Sequence, residues 1–255
     1  MALQFKYLRD NYKKIMGQMI LDGLAYEYTI YLMPLKNTRY ANEIINFFGN
    51  REQNGEKCLE ITEDDIDNYL TNPNPSVSAF IKVNQQGYDE IASGSIQIYN
   101  WCNREPEDND TLKDSQIWIN DVCRIIGPSN IRSSGEPIKA FFTLIEQIAI
   151  QKLGKNEVYL MVEKNKPGTN KLIQIYSSNK YNFVLAPCIE PTNILPDESI
   201  LTKHIIMNKS NIIENTNIVN LIGYNFGRIM NGGGKKRKSR KLIKRRRKSK
   251  KSRKY

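Results

Sequence analysis

The segment 117–183 most constrains the fold, because a strand, a glycine-containing turn, a long helix and a second strand follow one another in it. Apolar, β-rich residues predict the first strand over 117–125 and the second over 158–162. Between them, Pro137 is suited to the first turn of a helix, and this helix is expected to end near Leu153. Strands joined by a helical crossover predict a mixed α/β domain.

The turn before this helix has the composition of an anion-binding site. A helix N-terminus leaves backbone N–H groups unpaired and carries the positive end of the helix dipole, so it attracts phosphate. Pro137 has no N–H group, so the turn has one donor fewer than other residues would give it. We predict that phosphate binds to the residues of this turn, which are Arg132, Ser133, Ser134, Gly135, Glu136 and Pro137.

The remaining apolar patterns predict further helices and strands around this unit. Gln85, Gln86 and Gly87 are typical of a β-hairpin turn between two predicted strands. At 255 residues the chain is long enough for one domain with appendages. Apolar spacing predicts helices over 3–24, 38–48, 64–70 and 170–178, and strands over 28–34, 77–83, 91–101, 181–186 and 201–207.

Charge divides the chain into a weakly acidic body and a strongly basic end. Of the 38 Lys and Arg residues, 15 lie in residues 231–255, which contain no acidic residue. The other 23 are outnumbered by the 27 Asp and Glu residues, all of which lie in the body. After the glycines at 232–234, the basic end is expected to be disordered, because it has too little apolar surface to bury. Its charges predict binding of nucleic acid or another polyanion through residues 235–254.

Composition also excludes several kinds of site. The four cysteines are widely spaced without a CxxC pair, so we expect no disulfide framework and no cysteine-rich zinc site, and a reducing intracellular compartment. His204 is the single histidine, which removes metal sites built from several histidines, and we predict no metal. No apolar run is long enough to cross a bilayer, so we expect no membrane partner.

The order of elements and the turn before the long helix resemble the GNAT superfamily of acetyl-CoA-dependent N-acyltransferases, over residues 27–209. The phosphate turn of that family is Gln/Arg-x-x-Gly-x-Gly/Ala. Here Arg132 and Gly135 match its first two anchor positions, and Pro137 departs from the third.

A second set of motifs strengthens the resemblance. Asn165 follows the second strand, where the family has an asparagine. Residues 175–181 are similar to the family's Leu-Tyr-x-x-x-Gly-Phe motif, with Lys180 in place of its glycine. Residues 207–209 look like its closing Met-x-Lys strand. The domains predicted on this basis are a helical extension over 1–26, the acyltransferase domain over 27–209, an irregular linker over 210–230 and the basic tail over 231–255.

The resemblance implies a mixed, mainly antiparallel central sheet flanked by helices, with acetyl-CoA as co-substrate. The family has a tyrosine near the sulfur as general acid, which gives that role to Tyr176. Asp121 is the carboxylate that we select as base, with Glu163, Glu146 or a water chain as alternatives, and Glu146 is expected to face solvent. The residues implied to bind the cofactor are Val122, Cys123, Arg124, Arg132, Ser133, Ser134, Gly135, Glu136, Pro137, Asn165 and Tyr176.

The implied function is transfer of an acetyl group from acetyl-CoA to a primary amine by direct attack in a ternary complex. The sequence does not specify this acceptor amine. Pro137 and Lys180 depart from the family pattern and suggest an alternative, an inactive GNAT-like protein for nucleic-acid binding or virion packaging. A glycine hinge before a Lys/Arg/Ser end also resembles proteins of large DNA viruses, which implies the host cytoplasm, nucleus or virion as location.

Overall fold

The computed structural model describes most of a central sheet and the helices beside it. No helix among the described residues is long and apolar enough to cross a membrane. The described residues are 4–10, 14–32, 42–44, 52–53, 56–57, 77–99, 116–126, 133–188 and 200–214.

The centre of the fold is one sheet of nine strands. Its strands are β1 (Gln4–Asp10), β2 (Lys14–Leu21), β3 (Leu24–Leu32), β6 (Val77–Gln85), β7 (Glu90–Tyr99), β8 (Gln116–Ile126), β9 (Val158–Glu163), β10 (Val184–Leu185) and β11 (His204–Lys209), while β4 (Glu52–Gln53) and β5 (Glu56–Lys57) form a separate hairpin. The order in the large sheet is β1-β2-β3-β6-β7-β8-β9-β11-β10. Neighbouring strands are antiparallel except β8 and β9, which are parallel.

The helices whose bounds are described are α1 (Pro137–Leu153), α2 (Thr169–Ser177) and the short α3 (Ile200–Lys203), and residues 42–44 are also helical. The long helix α1 connects β8 to the parallel strand β9. It begins at Pro137 and ends before Gly154, whose φ of 64° allows the left-handed helix cap. The predicted mixed α/β fold with a mainly antiparallel sheet flanked by helices is therefore confirmed.

Each face of the sheet has its own apolar layer. On one face, α1 packs against β6, β7 and β8 through buried residues such as Phe141, Ile145 and Ile148. On the opposite face, Trp118 and Tyr159 stack with ring centroids 5.0 Å apart, and Ile206 packs against them. Paired residues of neighbouring strands point to the same face, so the strand register determines which side chains meet on each side.

The helix predicted over 3–24 is wrong, because β1, β2 and the start of β3 occupy these residues. In β2, Ile15, Gly17 and Met19 are buried, whereas Met16 and Ile20 are exposed, so burial has a period of two. A spacing of four residues, such as that of Ile15 and Met19, fits both a helix and one face of a strand, which explains the error. These residues extend the sheet and do not form a helical extension.

Most other predictions agree with the structure or lie outside its described part, but the strand predicted over 201–207 begins only at His204, because Ile200–Lys203 form α3. The strands predicted over 77–83, 91–101, 117–125 and 158–162 correspond to β6, β7, β8 and β9. The hairpin turn has Gly87 at a φ of 83°, as expected. The helix predicted over 64–70, the linker beyond residue 214 and the basic tail over 231–255 lie outside the described residues, as does most of the helix predicted over 38–48.

Candidate functional site

A gap between β8 and β9 is the most distinctive feature near the predicted site. The two strands pair at only two positions, Trp118 with Tyr159 and Ile119 with Leu160, although β8 continues to Ile126. Two residues of β8 separate Asn120 from Cys123, while one residue of β7 separates their partners Ser95 and Ser93. This count defines a β-bulge in β8, and bulges re-aim strands at functional sites.

The bulge falls on Asp121 and Val122, and Asn120 alone separates it from Ile119, the last residue of β8 that pairs with β9. Beyond that point β8 remains paired with β7 and β9 remains paired with β11, so their facing edges separate. Backbone N–H and C=O groups on facing, separated edges can accept an extended ligand as an added strand would be accepted. The gap is therefore a suitable site for a linear molecule with amide groups.

The turn before α1 is held by side chains of the protein itself. The backbone N–H of Ser133 donates to a carboxylate oxygen of Glu90 at 3.0 Å, and the N–H of Gly135 donates to Gln85 Oε1 at 2.9 Å. The N–H of Glu136 donates to the hydroxyl of Tyr26 at 3.0 Å. Three of the amides predicted to bind phosphate are thus already paired, and one of them is paired with a carboxylate.

Glu90 is the central residue of this arrangement. Its carboxylate also accepts hydrogen bonds from the Ser133 hydroxyl at 3.1 Å and from the Arg124 guanidinium. Burial by itself raises the pKa of Glu90, but the hydrogen bonds and charge of Arg124 and the hydrogen bonds from Ser133 outweigh it, so the pKa lies below its usual value. Glu90 is therefore ionised at neutral pH and holds the turn as an anion.

Three ion pairs surround the turn. Arg124 pairs with Glu90, Lys139 pairs with Asp22 at 2.7 Å, and Lys180 pairs with Glu136 at 2.7 Å. The predicted departure at Lys180 therefore has a structural role, since its ammonium group neutralises the carboxylate of Glu136. A phosphate that binds here must exchange with carboxylates on these cations.

Gly135 is required by the close approach of Tyr26. A Cβ atom at position 135 would lie 2.2 Å from the hydroxyl oxygen of Tyr26 and 2.8 Å from a methyl carbon of Leu24. The hydroxyl occupies this space because it accepts the hydrogen bond from Glu136 N–H. The glycine of the turn thus admits a side chain of β3, which is a second use for a residue predicted to approach phosphate.

Tyr176, the predicted general acid, lies in α2 within a group of aromatic rings. Its ring contacts those of Phe142, Tyr181 and Phe183 edge to face, with centroids 5.8 to 6.3 Å apart. Burial, together with the neighbouring Tyr181, raises the pKa of Tyr176 to about 12. The phenol is consequently protonated at neutral pH, as a general acid must be.

Asn165 follows β9 in a left-handed conformation, with a φ of 62°, and its side chain is exposed. It lines an open pocket between the end of β9 and the start of α2, together with Lys164, Lys166 and Thr169. The ammonium nitrogen of Lys166 lies 3.5 Å from a carboxylate oxygen of Glu163, whereas the ammonium group of Lys164 donates a hydrogen bond to the backbone carbonyl of Leu201. The lysines give this pocket a basic rim.

The carboxylates weighed as bases have different surroundings. The side chain of Asp121 lies outside the described part of the structure, as does Arg132 of the turn. Glu146 does not face solvent as expected, because it is largely buried and pairs with Lys209 at 2.7 Å. Burial raises the pKa of Glu146, while Lys209 opposes that rise. Glu146 therefore connects α1 to β11 and is engaged in a structural ion pair.

Both described cysteines, Cys123 and Cys188, are in disulfide bonds. The expectation of unpaired cysteines is thus wrong for these two, because residues distant in sequence can meet in space. The thiol of Cys123 is consumed by its disulfide, although its backbone remains part of the site. The argument for a reducing compartment loses its basis, since disulfides persist in oxidising surroundings.

Sequence reasoning missed the three side chains that hold the turn, Glu90, Gln85 and Tyr26. They precede their partners in the turn by 43, 50 and 110 residues, respectively. The sequence contains only a weak indication of these contacts, because Gln85 and Glu90 are polar residues on either side of the turn between two predicted strands. Both are nearly fully buried, which requires partners for their polar atoms.

Comparison with known proteins adds little on the activity. No protein-family model matches the chain, and no curated protein matches it. One solved structure, described as a probable acetyltransferase, is 14% identical, with 71% of this chain and 90% of that chain covered and a TM-score of 0.32. A likeness of this size supports no conclusion, so the activity has to be inferred from the geometry of the site.

Proposed function

We propose that the protein is an acetyltransferase of the GNAT type, which moves an acetyl group from acetyl-CoA to a primary amine. The observation that carries this proposal is the bulge in β8 together with the separation of β8 from β9. The pantetheine arm of acetyl-CoA is linear and has two amide groups, so it matches separated strand edges that offer backbone donors and acceptors.

The transfer step assigns one task to each group. The amine nitrogen attacks the thioester carbonyl carbon, a C–N bond forms, and the C–S bond breaks. The backbone N–H of Val122 or Cys123, at the bulge, stabilises the negative charge that develops on the carbonyl oxygen. Tyr176 gives its proton to the departing thiolate, and Asp121 takes the proton that the amine loses.

The diphosphate of acetyl-CoA fits the turn less well than the pantetheine arm fits the gap. Glu90, Gln85 and Tyr26 already accept hydrogen bonds from three amides of the turn. A bound diphosphate therefore has to displace Glu90 and Gln85, or bind to the next donors along α1, the N–H groups of Ile138 and Lys139. The cations Arg124 and Lys139 then become partners of the phosphates.

The basic tail over 231–255 completes the proposal. Fifteen cations attract nucleic acid with a strong dependence on salt concentration, because bound counterions are released. Tyr255 is the single aromatic residue in this tail, so base stacking contributes little and no sequence preference is expected. We infer that the tail holds the enzyme on a polyanion such as nucleic acid.

Titration calorimetry with acetyl-CoA and with free pantetheine tests the proposal directly. We expect saturable binding of acetyl-CoA below about 1 mM, followed by CoA release when a panel of primary amines is added. Tyr176→Phe should lower the turnover by about 100-fold and leave acetyl-CoA binding unchanged. Absence of binding at millimolar acetyl-CoA would exclude the enzyme.

The second candidate is an inactive protein of the same fold that serves nucleic-acid binding or packaging. The occupied turn favours it, because a carboxylate stands where a phosphate would bind. In this case Tyr176→Phe has no effect, and deletion of residues 231–255 removes the function. Measuring both variants in a DNA-binding assay and in a CoA-release assay separates the two candidates.

A further inference from the structure

The gap between β8 and β9 opens toward the C-terminal ends of both strands. The strands are parallel, and beyond their last pair, Ile119 with Leu160, β8 continues to Ile126 and β9 to Glu163 without pairing to each other. A linear molecule in the gap therefore has its outer end between two flanks. The turn before α1 forms the flank beside β8, and the pocket after β9 forms the flank beside β9.

The flank beside β8 offers little to a phosphate. The N–H groups of Ser133, Gly135 and Glu136 already donate to side chains of the protein. Each of the three cations around this turn also has a carboxylate partner. A diphosphate at this flank would have to displace both kinds of contact, so the nucleotide end of acetyl-CoA gains little affinity here.

The flank beside β9 is an open pocket with a volume of about 530 Å³, which is within the usual range of small-molecule sites. It begins at Lys164, the residue that follows the last residue of β9, so it lies at the open end of the gap. The polar side chains that line it are those of Lys164, Asn165, Lys166, Thr169, Asn170 and Lys171.

The lysines of this pocket carry more positive charge than their partners cancel. Lys164 donates to the backbone carbonyl of Leu201, a neutral acceptor that leaves its charge in place. Lys166 lies near Glu163, and both side chains are more than half exposed. Lys171 forms no ion pair within the part of the chain that the structure describes. Three ammonium groups with one carboxylate favour a single anionic group that has several acceptor oxygens, such as a phosphate.

The two flanks together fit a pantetheine arm that ends in one phosphate and has no nucleotide. We propose that the acyl donor is a thioester of 4′-phosphopantetheine, whose arm lies in the gap and whose phosphate binds Lys164, Lys166 and Lys171. This inference rests on the proposed acetyl transfer for its reaction and narrows the donor. The amine nitrogen attacks the thioester carbonyl carbon, the C–N bond forms, the C–S bond breaks, and the thiol of phosphopantetheine leaves with the proton of Tyr176.

Calorimetry of the full chain at low salt measures what each part of the donor contributes. Acetyl-4′-phosphopantetheine should bind about fivefold more tightly than acetyl-pantetheine, because ion pairs with exposed lysines are individually weak. Acetyl-CoA should bind no more tightly than acetyl-4′-phosphopantetheine. A tenfold advantage of acetyl-CoA over acetyl-4′-phosphopantetheine would overturn the proposal, and so would equal binding of the compounds with and without the phosphate.

Substitution of the lysines tests where the phosphate binds. The double variant Lys166→Gln, Lys171→Gln should lose the advantage of acetyl-4′-phosphopantetheine and keep the affinity for acetyl-pantetheine, with an unchanged melting temperature because both side chains are exposed. The matched control is Lys155→Gln, since Lys155 lies three residues before Val158, at the opposite end of β9. A double variant that still prefers the phosphorylated compound would contradict the proposal.

The arm occurs free or attached through its phosphate to a carrier protein, and kinetics distinguish these sources. Thiol release in the presence of primary amines is measured with free acetyl-4′-phosphopantetheine, with an acetylated acyl carrier protein and with acetyl-CoA. A kcat/KM that is at least about tenfold higher for the carrier protein than for the free compound supports the carrier-borne arm, and a smaller ratio supports the free compound. A kcat/KM for acetyl-CoA above both would refute the proposal.

The outcomes also separate this proposal from the proposed function. Turnover with acetyl-CoA as the preferred donor contradicts the phosphopantetheine donor and leaves the acetyltransferase intact. Binding of acetyl-4′-phosphopantetheine that depends on Lys166 and Lys171, without thiol release in the presence of any amine, contradicts the acetyltransferase and leaves the binding site for the arm intact.

Discussion

Replacing Glu90 by glutamine tests whether the occupied turn controls the affinity for acetyl-CoA. Glu90 is 2% exposed and holds Ser133 and Arg124 through its carboxylate. Glutamine keeps the size of the side chain and one carbonyl acceptor for the N–H of Ser133. It removes the negative charge and weakens the hold on Arg124, so a phosphate meets an available cation.

The magnitude follows from the charge that is removed. A unit charge about 5 Å from a bound phosphate contributes roughly 3 kcal/mol of repulsion at an effective dielectric constant of 20. Arg124 is 45% exposed, and its opposite charge and the solvent reduce this figure to about 1–2 kcal/mol. We therefore expect Glu90→Gln to bind acetyl-CoA about 10-fold more tightly at low salt.

Calorimetry with acetyl-CoA and with pantetheine measures the effect, since pantetheine has no phosphate and should bind both proteins equally. Glu214→Gln is the matched control, because it removes one exposed carboxylate in the segment that follows β11. Equal or weaker binding of acetyl-CoA by Glu90→Gln would refute the exchange of carboxylate for phosphate. The alternative of an inactive protein would then gain weight.

The same residue sets a dependence of stability on pH. The pKa of Glu90 is lower in the folded protein than in the unfolded chain, so its ionised form stabilises the fold above the unfolded value of about 4.3. That contribution should be lost as the pH falls through the lower, folded pKa. The melting temperature of Glu90→Gln should therefore depend less on pH between about 5 and 2 than that of the wild type.

Three further perturbations test the contacts described above. Gly135→Ala should lower the melting temperature, because the added Cβ would lie 2.2 Å from the Tyr26 hydroxyl oxygen. Adding Tyr26→Phe to the same chain should restore part of this loss. An unchanged melting temperature in the Gly135→Ala variant would contradict this contact. Lys209→Met should lower the free energy of unfolding by about 3–5 kcal/mol at pH 8, because it leaves the carboxylate of Glu146 buried without a partner. The loss should be smaller at pH 5, where that carboxyl is more readily protonated. A loss of unfolding free energy that does not depend on pH in urea titrations would be inconsistent with this account. Deletion of residues 231–255 should leave the melting temperature unchanged and abolish the salt-dependent retention on DNA; retention by the truncated chain would exclude the tail as the binding element.

Local sequence markers predicted those parts of the fold that depend on a few neighbouring residues. Pro137 and Gly154 mark the two ends of α1 correctly, because each has a backbone preference that suits one helix end. The sequence predicts a helix over 3–24 where the structure has strands, since the four-residue spacing of Ile15 and Met19 is compatible with both a helix and one face of a strand. Helix ends are thus predictable from sequence, while short apolar spacings are ambiguous.

The candidate site was predictable only in its local part. The position of the turn and of Tyr176 followed from motifs that are short and continuous in sequence. The partners of the turn, Glu90 and Tyr26, come from strands far along the chain, and no periodic pattern reveals such contacts. The disulfide bond of Cys123 has the same origin, because spacing alone does not determine which cysteines meet.

The two-residue junction between β8 and β9 has a mechanical consequence. Six strands lie on one side of it and three on the other, and the backbone pairs at Trp118 and Ile119 are the ladder contacts that join the two blocks. Such a seam should open more readily than the antiparallel ladders beside it, so amide hydrogens of β9 should exchange faster than those of β7. A molecule bridging the seam would fasten the two blocks together and slow that exchange.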